Sequence, residues 1–220
     1  MTKIEHHLTD SLLMGYAAGI LPEAFSLVVA AHVSLCDECR ARLGEFETVG
    51  GSVLDRCGTA DMSDGALAAT MSRIARDDAR APAAAEATRR RRSRGIFPAP
   101  LQGYVGGDAE AVRWRAVGGG VRQAILPTSK EATVRLLHIP AGAAVPDHGH
   151  RGTELTLVLQ GAFRDESARF GRGDIEIADE HLEHTPVAEE GEDCICLAAT
   201  DAPLRFNALI PRIAQPFLRI

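Results

Sequence analysis

Between Gly142 and Gly161 the chain places His148, His150 and Glu154 at even separations. On a β-strand, residues two apart project from the same face. His148 and His150 therefore point together, and Glu154 joins them if the strand continues or bends gently. Two imidazoles and one carboxylate on a shared face form a facial set of N and O ligands for a divalent metal. A fourth ligand is then expected from another strand.

The spacing G-x5-H-x-H-x3-E-x6-G resembles the first sequence motif of the cupin β-barrels. The second cupin motif, G-x5-P-x-G-x2-H, ends on His184 when counted from Gly173. It is degenerate here, because Asp179 stands at the Pro position and His181 at the second Gly position. His181 competes for the role of fourth ligand, and the spacing favours His184. The plain alternative is surface histidines on an all-β domain, which four residues at barrel spacing argue against.

The period of the apolar residues divides the chain. Residues 9–78 read as helical. Thr9 and Asp10 cap a first helix that carries Leu12, Leu13 and Tyr16 and stops at Gly19. Pro22 opens a second at the favoured first-turn position. In it Phe25, Val28, Val29, His32 and Val33 recur on one amphipathic face. A third helix follows Cys36, with Leu43, Phe46, Val49 and Val53 as candidate buried positions and Gly50-Gly51 as a place to bend or end. Ser63 and Asp64 begin a fourth, marked by a stripe of Leu67, Met71 and Ile74.

Residues 79–100 are rich in small, charged and Pro residues, include the run Arg89 to Arg92, and read as a flexible basic linker. From residue 101 onward the period becomes two. Strands are expected at 112–115, 121–125, 133–139, 153–159, 174–178, 193–199 and 204–209, punctuated by Gly and Pro. Many short, evenly spaced strands indicate a barrel or jelly roll. The expected fold is therefore α + β in two domains: a helical bundle of about four helices over 1–78 and an all-β cupin domain over 101–220.

The net charge of −6 is unevenly spread: −5 over residues 1–75, +4 over 76–100 and −5 over 101–220. Two acidic halves around a basic connector do not fit a nucleic-acid-binding protein. An acidic N-terminal domain suits a basic protein partner. No run of about 20 apolar residues offers a membrane span, and the N-terminal residues lack a signal-peptide core. A cytoplasmic protein is expected.

Five cysteines, an odd number, argue against a disulfide framework. His32, Cys36 and Cys39 give H-x3-C-x2-C. On a helix His32 and Cys36 lie one above the other, and C-x2-C closes in the manner of structural zinc. The missing ligand is expected from His6 or His7, with His7 favoured because it immediately precedes the first helix; Cys57 is the other candidate. A helical unit of under 80 residues with slender apolar stripes needs a staple. A redox-active C-x2-C pair would prefer a βαβ context, which is absent. Cys194 and Cys196 share a strand face, where a disulfide would be strained, so packing is their expected role. His138 and Trp114 are expected at the core or rim.

These features together resemble the ChrR-type anti-sigma factors, a cupin-bearing branch of the zinc-binding anti-sigma family. The resemblance runs through His-His-Leu-Thr-Asp-Ser-Leu-Leu at 6–13, Leu-Cys-Asp-Glu-Cys-Arg at 35–40, Pro-Asp-His-Gly-His-Arg-Gly at 146–152 and His-Thr-Pro-Val-Ala at 184–188. It implies a regulator and not an enzyme, whose N-terminal zinc domain sequesters an extracytoplasmic-function (ECF) sigma factor. Carried over by residue, the N-terminal zinc ligands are His7, His32, Cys36 and Cys39. The cupin metal ligands are His148, His150, Glu154 and His184, again with zinc, giving two zinc ions per chain. The cupin domain would serve release of the sigma factor on an oxidative signal such as singlet oxygen. No direct nucleic-acid or membrane partner is implied, and the free chain as a homodimer stays open. The rival reading is a metal-dependent cupin enzyme, a dioxygenase or hydrolase, with an accessory zinc domain.

Overall fold

The computed structural model describes residues 3–80, 95–149, 151–180, 182–202 and 205–206. Thr9 caps α1 (Asp10–Ala17), its hydroxyl accepting the Leu12 amide at 3.3 Å. Gly19, at φ 68°, turns the chain out of that helix, a left-handed conformation glycine adopts without a Cβ clash. Pro22 precedes α2 (Glu23–Leu35), and Cys36 both closes α2 and opens α3 (Asp37–Leu54). A loop then leads to α4 (Ala66–Arg80). Helices α1, α2 and α3 pack on one another.

Two expectations for α3 fail. Gly50-Gly51 does not end it, since the helix runs on to Leu54. Val49 and Val53, expected in the core, are exposed. The reason is length: α3 has 18 residues against eight in α1 and 13 in α2. At about 1.5 Å per residue, the shorter helices cover Cys39 and Leu43 but not the final turns. The stripe on α4 is exposed as well. No helix among the described residues is long and apolar enough to cross a membrane.

Residues 81–94, with most of the expected linker, lie outside the described residues. Its far end is packed: Phe97 is buried, and α5 (Ala99–Val105), a helix the sequence reading lacked, sets the buried Leu101 against α2.

The strands are β1 (Arg115–Gly118), β2 (Val121–Leu126), β3 (Thr133–Ile139), β4 (His148–Gly149), β5 (Glu154–Gln160) and β6 (Ala162–Arg164). They continue with β7 (Arg169–Gly171), β8 (Ile175–Ala178), β9 (Glu183–His184), β10 (Val187–Ala188), β11 (Cys194–Thr200) and β12 (Arg205–Phe206). The expected strand at 112–115 is shifted, because a short 3-10 turn at Ala109–Ala111 holds the chain until Arg115. Of 204–209, only Arg205 and Phe206 are described.

All strand pairings are antiparallel. The large sheet has the order β1-β2-β3-β11-β5-β8; the smaller ones are β10-β6-β7 and β12-β4-β9. Among the described residues the barrel is therefore not closed: they form three sheets around a common interior. On the inner face, Val121, Val158, Cys194 and Cys196 meet Phe163, Phe170 and Ala188 of the β10-β6-β7 sheet.

The outer face of the large sheet is also covered, which explains why β5 and β11 are buried on both faces along nearly their whole length. Leu136, Leu155, Leu157, Leu197 and Ala199 share one core with Leu13, Phe25 and Val28 of the helices, and α2 lies directly on β5 and β11. A side chain such as Leu197, fully buried, contributes about 1.5–3 kcal/mol relative to exposure. The helical unit and the sheet are thus docked through apolar burial.

Candidate metal centres

His32 sits in the last turn of α2 and is completely buried, yet neither ring nitrogen has a hydrogen-bond partner among the described residues. A buried imidazole with two orphaned nitrogens is costly unless something electrophilic meets it. Burial, with the neighbouring His7 ring adding to it, pushes its pKa down to about 4, so the ring is a neutral electron-pair donor at pH 7. Cys36 caps α3, and its Sγ accepts the Cys39 amide at 3.4 Å. That contact favours the negative charge a metal-bound thiolate carries.

His7 completes the group. Its Nδ1 lies 3.3 Å from Cys36 Sγ and 3.6 Å from Cys39 Sγ, while its Nε2 faces Glu38 at 3.4 Å. A carboxylate on the far nitrogen is the usual outer-shell partner of a ligating imidazole. One ligand atom from each of His7, His32, Cys36 and Cys39 lies within 4.8 Å of the other three. Two sulfurs and two nitrogens so arranged fit a closed tetrahedral site. His6 points elsewhere, with its ring 4.4 Å from that of Phe170, and Cys57 is exposed at the end of α3.

Burial holds the Cys39 thiol protonated, up to about 11. A metal entering this site must displace that proton. Apparent metal affinity is therefore expected to rise about tenfold per pH unit or more between pH 6 and pH 8. Calorimetric titration in buffers of different ionisation enthalpy should read the released protons; a pH-independent affinity would contradict thiolate ligation.

In the cupin domain β5 does not run back to His148. Residues 151–153 bend, so β4 and β5 are separate strands in separate sheets. Glu154 opens β5, buried, and accepts the Thr156 hydroxyl at 3.1 Å. His184 is buried on β9, which pairs with β4 so that His184 stands opposite His148 in the ladder. Glu154 is near enough to favour charge on His184. The structure thus draws Glu154, His184 and the backbone of His148 to one end of the interior. His150 and the side chain of His148 lie outside the described residues, as does the competing His181.

The ChrR cupin-like domain family matches residues 103–203. The anti-sigma-E factor ChrR of Cereibacter sphaeroides is 64% identical to this chain over 217 residues, 99% of each. The chain belongs to the ChrR family of anti-sigma factors. In a crystal structure of Rhodobacter sphaeroides SigE in complex with the anti-sigma ChrR, a chain with 62% identity superposes with a TM-score of 0.77. That alignment covers 90% of this chain and 100% of the other.

In this ChrR-family chain the interior holds two acids that sequence reasoning missed. His184 Nδ1 lies 3.1 Å from both Asp165 Oδ2 and Glu176 Oε1. Burial opposes charge on His184, but the Glu176 contact outweighs it, with Asp165 adding, and holds the pKa up at about 9. Burial pushes Glu176 up to about 7, partly offset by His184. For Asp165 burial pulls upward but loses to hydrogen bonds from Glu176, Ala168 and Ser167, leaving it well below the carboxylate range. The two carboxylates at Nδ1 orient the His184 ring.

Glu176 had a readable signal: a lone acid between Ile175 and Ile177, which both pack toward the helical core, must point inward. Asp165, in a turn, had none. Arg135 is also buried, 3.3 Å from Gln123 Oε1 and within the field of Glu154. Cys194 and Cys196 face the same interior with sulfurs 3.5 Å apart. His138 and Trp114 sit half-buried, rings 5.5 Å apart.

Proposed function

We propose that this chain is a two-zinc anti-sigma factor of the cytoplasm, not an enzyme, that binds an ECF sigma factor through its N-terminal helices. Zinc is held by His7, His32, Cys36 and Cys39 in the helical unit, and a second metal by His148, His150, Glu154 and His184 in the cupin. The first domain comprises about residues 1–78, the cupin about 101–220, with the basic segment between them. The observation that carries the reading is the end-to-end likeness to a protein named as an anti-sigma-E factor, seen with SigE in a complex.

The surface supports it. Leu67, Met71 and Ile74 on α4 are 74%, 56% and 51% exposed, and Val49, Val53 and Leu54 are exposed on α3. A stripe of large apolar residues at helical spacing, on an otherwise polar helix, fits a helix-in-groove contact with a partner protein. Zinc suits the N-terminal donor set because two thiolates and two imidazoles in a closed site need a metal without redox or geometric demands.

The metal in the cupin would act as a Lewis acid or template for the oxidative signal, singlet oxygen among the candidates. This chain's own residues set that centre's stiffness: Asp165 and Glu176 fix the ring of His184, and Thr156 donates to Glu154. Purified Glu154→Ala and His184→Ala chains are expected to inhibit the cognate sigma factor in a transcription assay as wild type does. They should then fail to release it under singlet oxygen that frees the wild-type complex. Normal release by both variants would sink the cupin's role as sensor.

A further inference from the structure

His7 lies in a segment, residues 3–9, that has neither helix nor strand of its own. Its position is therefore set by tertiary contacts. On one side Leu8 is buried in the shared core and its carbonyl accepts from Arg42 at 3.2 Å. On the other side the contacts come from the cupin domain, at the turn joining β7 to β8.

There Asp174, itself buried, receives three backbone amides. Oδ1 accepts from Glu5 at 2.7 Å and His6 at 3.0 Å, and Oδ2 accepts from Gly171 at 2.8 Å. The Ile175 amide donates to the His6 carbonyl at 3.3 Å. The His6 ring lies on Phe170 and its Nε2 is 3.1 Å from the Arg169 carbonyl. Ile4 approaches so closely that a Cβ on Gly173, which sits at φ 94°, would lie 2.7 Å from Ile4 Cδ1.

We propose that the cupin domain positions the N-terminal metal centre, with Asp174 as the residue that holds His7 in ligating position. Charge-assisted bonds from a buried carboxylate are the strong kind, and outer-shell contacts of this sort tune metal affinity by about 10–100-fold. The turn also leads directly into β8, where Glu176 contacts His184 two residues beyond Asp174. A change in the cupin interior thus has a short path to the segment that carries His7, through two residues of β8 and the Asp174 hydrogen bonds. The proposal deepens the anti-sigma reading and rests on metal at His7, His32, Cys36 and Cys39.

The test uses the full-length chain loaded with cobalt(II). Thiolate-to-cobalt charge-transfer absorption reports the centre bearing Cys36 and Cys39 apart from metal held by imidazole and carboxylate alone. Asp174→Ala, Asp174→Asn and His6→Ala are compared with wild type for the rate at which EDTA removes that absorption. Hydrogen–deuterium exchange at the Glu5 and His6 amides is followed in parallel. Asp174→Ala is expected to lose protection at both amides and to release cobalt about tenfold faster. Asp174→Asn, which keeps the side-chain volume and should fold even if the alanine variant does not, falls between it and wild type. His6→Ala, which spares the backbone bonds, has the smallest effect. Lost amide protection with wild-type cobalt release in either Asp174 variant would overturn the proposal and leave the metal centre standing. No charge-transfer absorption in the wild-type chain would overturn the metal reading, and the proposal with it.

Discussion

A chain carrying Cys36→Ser should hold one metal equivalent fewer than wild type and fail to inhibit its sigma factor. The size of the effect follows from how little else holds α1 and α3. The buried part of α3 is limited to Cys39 and Leu43, with Phe46 half-covered. A structural zinc supplies about 10 kcal/mol of folding free energy, comparable to the whole stability of a domain at about 5–15 kcal/mol. Losing the metal also leaves His32 buried without a partner. The loss should be local, because α2 stays pinned to β5 and β11 by the shared core. Amide exchange is therefore expected to rise throughout α1 and α3 while α2 and the cupin strands stay protected. Cys57→Ser, at an exposed position, should leave metal content, exchange and inhibition unchanged. Retention of full metal content by Cys36→Ser would refute the assigned ligand set.

The second large effect is expected from Met71→Asp combined with Ile74→Asp. Both side chains are exposed on α4 of the free chain, so the substitutions should change thermal stability by well under about 1 kcal/mol. In a complex that covers this face, two carboxylates would be desolvated without partners. Central apolar anchors of an interface are each worth about 2 kcal/mol or more, and 1.4 kcal/mol is about tenfold in affinity. Sigma-factor binding, measured by calorimetry, should weaken at least about 100-fold, with metal content and melting temperature unchanged. Undiminished binding would place the docking surface elsewhere.

Much of the candidate N-terminal centre was legible because its residues obey one local rule. His32 and Cys36 are one helical turn apart and Cys39 completes a C-x2-C pair, so three of the four converge whatever the rest of the chain does. The choice between His6 and His7 is not written in the local pattern, since adjacent residues in an irregular segment point in different directions. In the structure the cupin turn takes up His6, and the His7 Nδ1 faces the two sulfurs. The cupin motif placed Glu154 and His184 in one interior through spacing alone. It could not reveal Asp165, whose proximity to His184 depends on how β6 and β7 fold over the sheet.

The sequence by itself determined what short-range periodicity encodes: a helical half, a β half beyond residue 100 and the clustered sulfur and nitrogen donors. The tertiary structure alone decided which apolar residues are core and which are surface. Val49, Val53, Leu67, Met71 and Ile74 have the same pattern as buried positions, but no element among the described residues covers them. It also decided that α2 packs on the cupin sheet and that Asp174 grips the segment before His7. Those outcomes depend on pairs of residues up to 169 positions apart. Periodicity reports a residue's own face, not the identity of what will lie against it.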